Sequence, residues 1–176
     1  MSKDTSELLA CFDENGNPVE PHTRAEAHQK PYRIWHAVTN IWVINPDGKI
    51  LCSKRSTNNE GNPNKWQTYF GGHVAKGENF EQNVAREINE ELGLNLNDGR
   101  LACWRKERSE NYKHLTVMLA FYLNQASTQF NFKDGEIEAT RWLSFDEYLA
   151  DKNDNPDNWC NSITTEMHKE ILKHKS

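Results

Sequence analysis

Three glutamates carry the strongest chemical signal in the chain: Glu87, Glu90 and Glu91. They lie in the stretch Gly72–Leu94, GHVAKGENFEQNVAREINEELGL. Its second half has the pattern of an amphipathic helix, with Phe80, Val84, Ile88 and Leu92 four residues apart. At about 100° per residue the three carboxylates fall within an arc of roughly 100° at the edge of the apolar face. Like charges at that spacing destabilise a helix by a few tenths of a kcal/mol per pair. A divalent cation between them would remove that cost, because hard cations such as Mg²⁺ take oxygen ligands of this kind. The competing reading is a solvated acidic face with no ligand.

Such a helix must be held against something. Gly93 stands where a helix end takes a left-handed residue, and Leu94 follows as its apolar lock. Gly71 and Gly72 precede the helix and let backbone approach a metal or phosphate with no Cβ in the way. Further upstream, His36–Ile44 reads as a strand, Asn45-Pro46-Asp47-Gly48 as a turn, and Lys49–Lys54 as the returning strand of a hairpin. Arg55–Lys65 is a polar, exposed loop, and Trp66–Val74 an extended segment running through the glycine pair. Residues 7–20 read as a hairpin around Asp13–Asn17, and Thr23–His28 as one short helical turn.

Downstream, Leu101–Arg108 and His114–Leu123 form an antiparallel pair, Phe130–Gly135 a loop and Glu136–Leu143 an edge strand. Ser144 caps a short helix through Ala150, with Glu147 three residues later. Asp151–Asn158 reads as a linker, and Ser162–Lys173 as a C-terminal helix with Ile163, Met167 and Ile171 at four-residue spacing. The order predicts an α+β domain, layered α/β/α around a mixed sheet. One domain over 1–176 is expected: hairpin and connector 1–30, core 31–150, linker and last helix 151–176.

The chain has 21 basic and 26 acidic residues, and the resulting net charge of −5 gives no footprint for a nucleic-acid polymer or an anionic membrane. A small anionic ligand could still bind through a metal or a local basic patch. Cys11, Cys52, Cys103 and Cys160 are far apart, so reduced thiols in a cytoplasmic protein are expected rather than zinc or a disulfide framework. The N-terminus lacks the pattern of a signal peptide, and the apolar run Leu115–Leu123 is too short for a membrane span.

Gly72, Glu78, Arg86, Glu87, Ile88, Glu90, Glu91, Gly93 and Leu94 fill all nine fixed positions of the Nudix box, Gly-x5-Glu-x7-Arg-Glu-U-x-Glu-Glu-x-Gly-U. The chain therefore resembles the Nudix hydrolase family. The resemblance implies a Nudix-type sandwich that hydrolyses a diphosphate linkage, in a nucleoside diphosphate derivative or a related organic diphosphate, with Mg²⁺ or Mn²⁺. It implies Glu87 and Glu91 as principal metal ligands and Glu90 as a further ligand or as the base that activates water. The Gly71 carbonyl would be another ligand, and Arg86 would pair with Glu78 to hold the loop on the helix. The chemistry is consistent, since bound metals both neutralise phosphate charge and make water nucleophilic.

Upstream residues, from Asp13 through Arg24, His28 and His36 to Lys54-Arg55-Ser56, Trp66 and Gly71-Gly72-His73, resemble the branch containing isopentenyl diphosphate isomerase. That isomerase uses a cysteine in a Cys-Gly-His-Pro-like segment. Here the segment is Phe70-Gly71-Gly72-His73-Val74, and the missing cysteine favours hydrolysis. The isomerase also binds a second metal through histidines and acids. His28, His36, His73 and Glu110 lie near the corresponding places, but Tyr112 stands where another acid belongs, so ordinary hydrogen-bonded histidines are the alternative.

For the substrate, Lys54 and Arg55 could grip phosphates, Tyr69 could stack on a base, and His73 lies beside the glycine pair. A solvated strand end and plain packing are the respective alternatives. A non-catalytic Nudix-like binding module is a third reading of the whole chain. The partner expected is a small-molecule diphosphate; oligomeric state is open, a homodimer included.

Overall fold

Strand β4, Trp35–Ile44, is buried along almost its whole length, which fits a central strand covered on both faces. The computed structural model describes residues 5–59, 61–126, 129–133, 135–160 and 163–175. Three two-residue strands, β1 (Leu8–Leu9), β2 (Cys11–Phe12) and β3 (His22–Thr23), lead into helix α1 (Arg24–Ala27) and then β4. β5 (Ile50–Arg55) and β6 (Trp66–Gln67) precede helix α2 (Phe80–Leu92). β7 (Gly99–Ser109), β8 (His114–Leu123), β9 (Ile137–Leu143) and helices α3 (Phe145–Asp154) and α4 (Thr165–Lys173) complete the order.

The main sheet runs β6-β5-β4-β8-β7, with β2 also on β4 and β9 also on β5. β4 and β8 are parallel, in register from His36↔His114 to Ile44↔Tyr122. The other pairings are antiparallel, so the sheet is mixed. Period-2 alternation sorts the side chains into two layers. Ile41, Val43, Val117, Leu119 and Phe121 meet Val84, Ile88 and Leu92 of α2. Trp42, Ile44, Met118, Ala120 and Tyr122 meet Tyr148 of α3, Ile171 of α4, Trp159 and Ile163. The expected α+β sandwich, α/β/α with α2 on one side and α4 on the other, is what the chain builds.

Several boundaries differ from the sequence reading. The β4–β5 turn forms, with Gly48 at φ +81°, but the strands pair only at Ile44↔Ile50 and then diverge. β5 turns to β9 and β6, and residues 70–74 take the vacated edge of β4: the Ile41 and Phe70 amides exchange bonds of 2.9 Å, and Thr39 N–H donates to the Gly72 carbonyl at 2.9 Å. A buried strand needs partners for its backbone, and this segment supplies them. The divergence opens the cleft described below.

At the N-terminus the hairpin forms next to the Asp13–Asn17 turn, where Phe12 pairs with Pro18 and Val19 N–H donates to the Cys11 carbonyl at 3.0 Å; farther out β1 pairs with β3 instead, and β2 also pairs with β4. Asp151–Asn158 is not a linker. α3 continues through Asp154, where Asp151 meets Arg141, and a 3₁₀ turn follows at Pro156–Asn158. α4 begins after Thr164, whose hydroxyl accepts from Met167 N–H; Ser162 lies outside the described residues.

Candidate active site

Helix α2 starts at Asn79, whose side chain accepts from the Gln82 amide while Gln82 accepts from Asn79 N–H, each at 2.9 Å. It ends at Gly93, left-handed at φ +72°, with Leu94 N–H bonded to the Ile88 carbonyl. Between these ends the helix buries two adjacent stripes. One is apolar and faces the sheet. The other is polar, Asn83, Glu87 and Glu91, four residues apart, and meets the loop 71–78.

The three candidate glutamates do not behave alike. Glu87 and Glu91 are 6% and 4% exposed, whereas Glu90 faces solvent. Gly71 N–H donates to Glu91 Oε2 at 3.1 Å. A Cβ at Gly72 would lie 2.6 Å from Glu87 Oε1, and one at Gly71, where φ is +113°, would lie 2.4 Å from the Thr39 carbonyl oxygen. Gly71 is therefore required by its backbone conformation and its approach to β4, and at Gly72 any side chain would have to displace the Glu87 carboxylate.

Arg86 organises the loop. Its Nε and one terminal nitrogen donate to the two Glu78 oxygens at 2.8 and 3.2 Å, and the latter also reaches the His73 carbonyl at 3.1 Å. The other terminal nitrogen lies 3.1 Å from both Glu87 Oε1 and Glu90 Oε2. Burial disfavours the Arg86 charge, but the bond to Glu78 with Glu87 and Glu90 nearby outweighs it and raises its pKa. Burial likewise pushes Glu78 up, while Arg86 and the Ala75 amide bring it below its usual value. The pairing expected for Arg86 and Glu78 thus forms, bidentate and charge-assisted.

A cleft of about 230 Å³ opens beside this face, lined among others by Arg55, Tyr69, Gly71, His73 and Glu91. Arg55 donates to the Gly61 carbonyl, Gln67 and Asn59, so it ties down the loop it begins as well as lining the cleft. Tyr69 packs on Trp42, and burial raises its hydroxyl pKa to about 12. Lys54 does not line this cleft; its ammonium lies 3.3 Å from Glu138.

Sequence reasoning missed Asn83, although its spacing to Glu87 and Glu91 was visible. It also missed His114 and Thr116, which the β4–β8 register brings to the cleft from far along the chain.

The donor set at Glu87 and Glu91 is all hard oxygen, held where a Cβ would intrude, and it fits a divalent cation such as Mg²⁺ or Mn²⁺. A second group could hold a softer ion. His28, His36 and His73 offer nitrogens all within 4.8 Å of one another. Among the described residues, His36 Nε2 and His73 Nδ1 are buried with no hydrogen-bond partner. Burial lowers the pKa of both, and takes His114, whose ring is 4.6 Å from His36, to about 4. Neutral imidazole is the form that ligates metal. Glu110 is engaged with Arg108 and Lys113 instead.

A sequence model of the NUDIX domain matches residues 34–160. The chain belongs to the Nudix family. Among curated relatives, an isopentenyl-diphosphate Delta-isomerase from Kocuria rhizophila is 32% identical over 92 residues, 52% of this chain and 51% of that one. One from Brevibacterium linens is 25% identical over 96% of this chain and 95% of its own. An uncharacterized Nudix hydrolase from Listeria innocua is 38% identical over 35% of this chain and 36% of its own. The chain spans about half the length of the first of these relatives. The crystal structure of DR0079 from Deinococcus radiodurans superposes with TM-score 0.69, covering 95% of this chain and 98% of that one at 20% identity. That likeness is one of fold. The family is thus shown over residues 34–160, and no helix among the described residues is long and apolar enough to cross a membrane.

Proposed function

We propose that this Nudix chain hydrolyses a diphosphate linkage in a small molecule, a nucleoside diphosphate derivative or related organic diphosphate, using Mg²⁺ or Mn²⁺. The observation that carries the reading is the burial of Glu87 and Glu91 on one helix face against Gly71 and Gly72. Burying two carboxylates side by side is costly unless cationic charge compensates them, and Arg86, which reaches Glu87, divides its single charge among Glu78, Glu87 and Glu90. A bound divalent ion would supply charge neutralisation on the phosphate oxygens and a more acidic water.

The protein's own residues divide the remaining work. Glu87 and Glu91 hold the ion, with the Gly71 carbonyl as a further candidate ligand. Glu90, at the solvent edge and held by Arg86, is suited to accept a proton from water; it is the alternative third ligand. Arg86 and Glu78 fix the loop to the helix. Arg55, Tyr69 and His73 face the substrate space, and Lys54 is the weakest of the four substrate candidates.

A screen for phosphate or nucleoside monophosphate release with Mg²⁺ and Mn²⁺ tests this, over nucleoside triphosphates, nucleotide sugars, dinucleotides and prenyl diphosphates. Turnover of at least one class, abolished by a chelator, is expected. No metal-dependent release across the panel would overturn the reading and favour a binding module.

The histidine group and the isomerase names of several relatives favour a second reading, isomerisation of a prenyl diphosphate. Against it, no cysteine lies in Phe70–Val74 to carry the proton chemistry. Conversion of isopentenyl to dimethylallyl diphosphate without phosphate release would establish it.

A further inference from the structure

Asn83 fills no fixed position of the box, yet it is the most deeply buried polar residue of α2, at 0% exposed. Its amide is fully committed. Thr39 Oγ1 donates to Asn83 Oδ1 at 2.5 Å, and Asn83 Nδ2 donates to the His73 carbonyl at 2.8 Å and to Glu78 Oε2 at 3.3 Å. Thr39 closes the circuit, because its N–H holds the Gly72 carbonyl at 2.9 Å and its own carbonyl is the atom against which Gly71 is seated. Strand β4, the glycine loop and α2 are thus tied at one point, one helical turn before Glu87.

We propose that Asn83 and Thr39 form a positioning pair that sets the separation between the Gly71–His73 backbone and the acidic face of α2, and so sets the affinity for a divalent cation there. The inference rests on the reading of Glu87 and Glu91 as metal ligands. The chemistry singles out asparagine. The side chain must accept from a hydroxyl and donate to a carbonyl at once, which an ionised aspartate cannot do and an alanine cannot reach. Arg86 also holds the His73 carbonyl, but it grips the loop from its far side through Glu78 and makes no bond to β4 among the contacts described. The Asn83–Thr39 hydrogen bond joins an α2 side chain directly to β4, the strand whose edge holds Gly72.

The test measures Mg²⁺ binding by calorimetry and thermal unfolding on the full chain, for wild type, Thr39→Val, Thr39→Ser, the double variant Thr39→Val/Asn83→Leu, and Glu91→Gln. The double variant removes donor and acceptor together, so its fold is spared a buried unpaired amide or hydroxyl. It is expected to unfold near the wild-type temperature while Mg²⁺ affinity drops by about 10–100-fold, the range for residues that orient metal ligands. Thr39→Val should weaken Mg²⁺ in the same direction, and Thr39→Ser, which keeps the hydroxyl, should not. Wild-type Mg²⁺ affinity in the double variant overturns the proposal; should that variant not fold, wild-type affinity in Thr39→Val does so. Undiminished binding in Glu91→Gln, or none in wild type, overturns the metal-ligand reading itself and this inference with it.

Discussion

Gly72 meets Glu87 with no room for a side chain: a Cβ there would sit 2.6 Å from Oε1 and 3.1 Å from the carboxyl carbon. A buried carboxylate and a bare backbone have been brought together, and the substitution Gly72→Ala separates them. The methyl group must push Glu87 aside. A displacement on the order of 1 Å at such a site costs about 100-fold in turnover, and kcat should fall by that much while the fold persists. Steady-state kinetics with circular dichroism check both halves.

Arg86→Lys removes the two-pronged grip on Glu78 and the bond to the His73 carbonyl. A lysine offers a point charge and no planar fork. The loss should lower unfolding free energy by about 1–3 kcal/mol, read from urea denaturation, and turnover should fall with it. Unchanged stability would show that the loop is held by other contacts.

How much of this was legible beforehand depends on distance along the chain. α2, its Gly93 cap and the limits of β8 are local patterns, and they formed where hydrophobic spacing placed them. The relative directions of Glu87, Glu90 and Glu91 were also local, but their burial was not. The loop 71–78 covers one edge of the arc and leaves Glu90 to solvent, and that depends on β4 lending its edge to Phe70–Val74. The same non-local pairing broke the expected β4–β5 hairpin. The convergence of His36 with His114 follows from a parallel register between strands separated by α2, which no short-range pattern encodes.

Lys54 and Arg55 separate what sequence could not. Arg55→Ala should raise KM by roughly tenfold more than it changes kcat, since it removes a cleft-lining guanidinium worth about 1.5–3 kcal/mol in charged hydrogen bonds. Lys54→Ala should leave both constants within about twofold, because its partly exposed pair with Glu138 is worth little. The reverse pattern would place the substrate on the other side of β5.

His36, His73 and His114 are each held below the ordinary histidine value, chiefly by burial, His114 to about 4. The unfolded chain therefore binds protons at higher pH than the folded one. The stability carried by the neutral rings is complete above the unfolded value of about 6.5 and is lost as pH falls from there toward the folded values. Urea midpoints of the metal-free protein should fall between about pH 7 and pH 5, above the range in which carboxylates such as Glu78 titrate. His114→Gln should flatten that slope, and an unchanged slope would contradict the burial argument.

The role proposed for Glu87 and Glu91 is to hold the ion on which hydrolysis depends. Its most direct test is kcat for Glu87→Gln and Glu91→Gln on whichever diphosphate the wild type turns over, at saturating Mg²⁺, beside their thermal unfolding. Folded variants are expected whose kcat falls by about 100-fold or more, the loss that follows when charge stabilisation of a transition state is removed. Near-normal turnover in both single variants would contradict it.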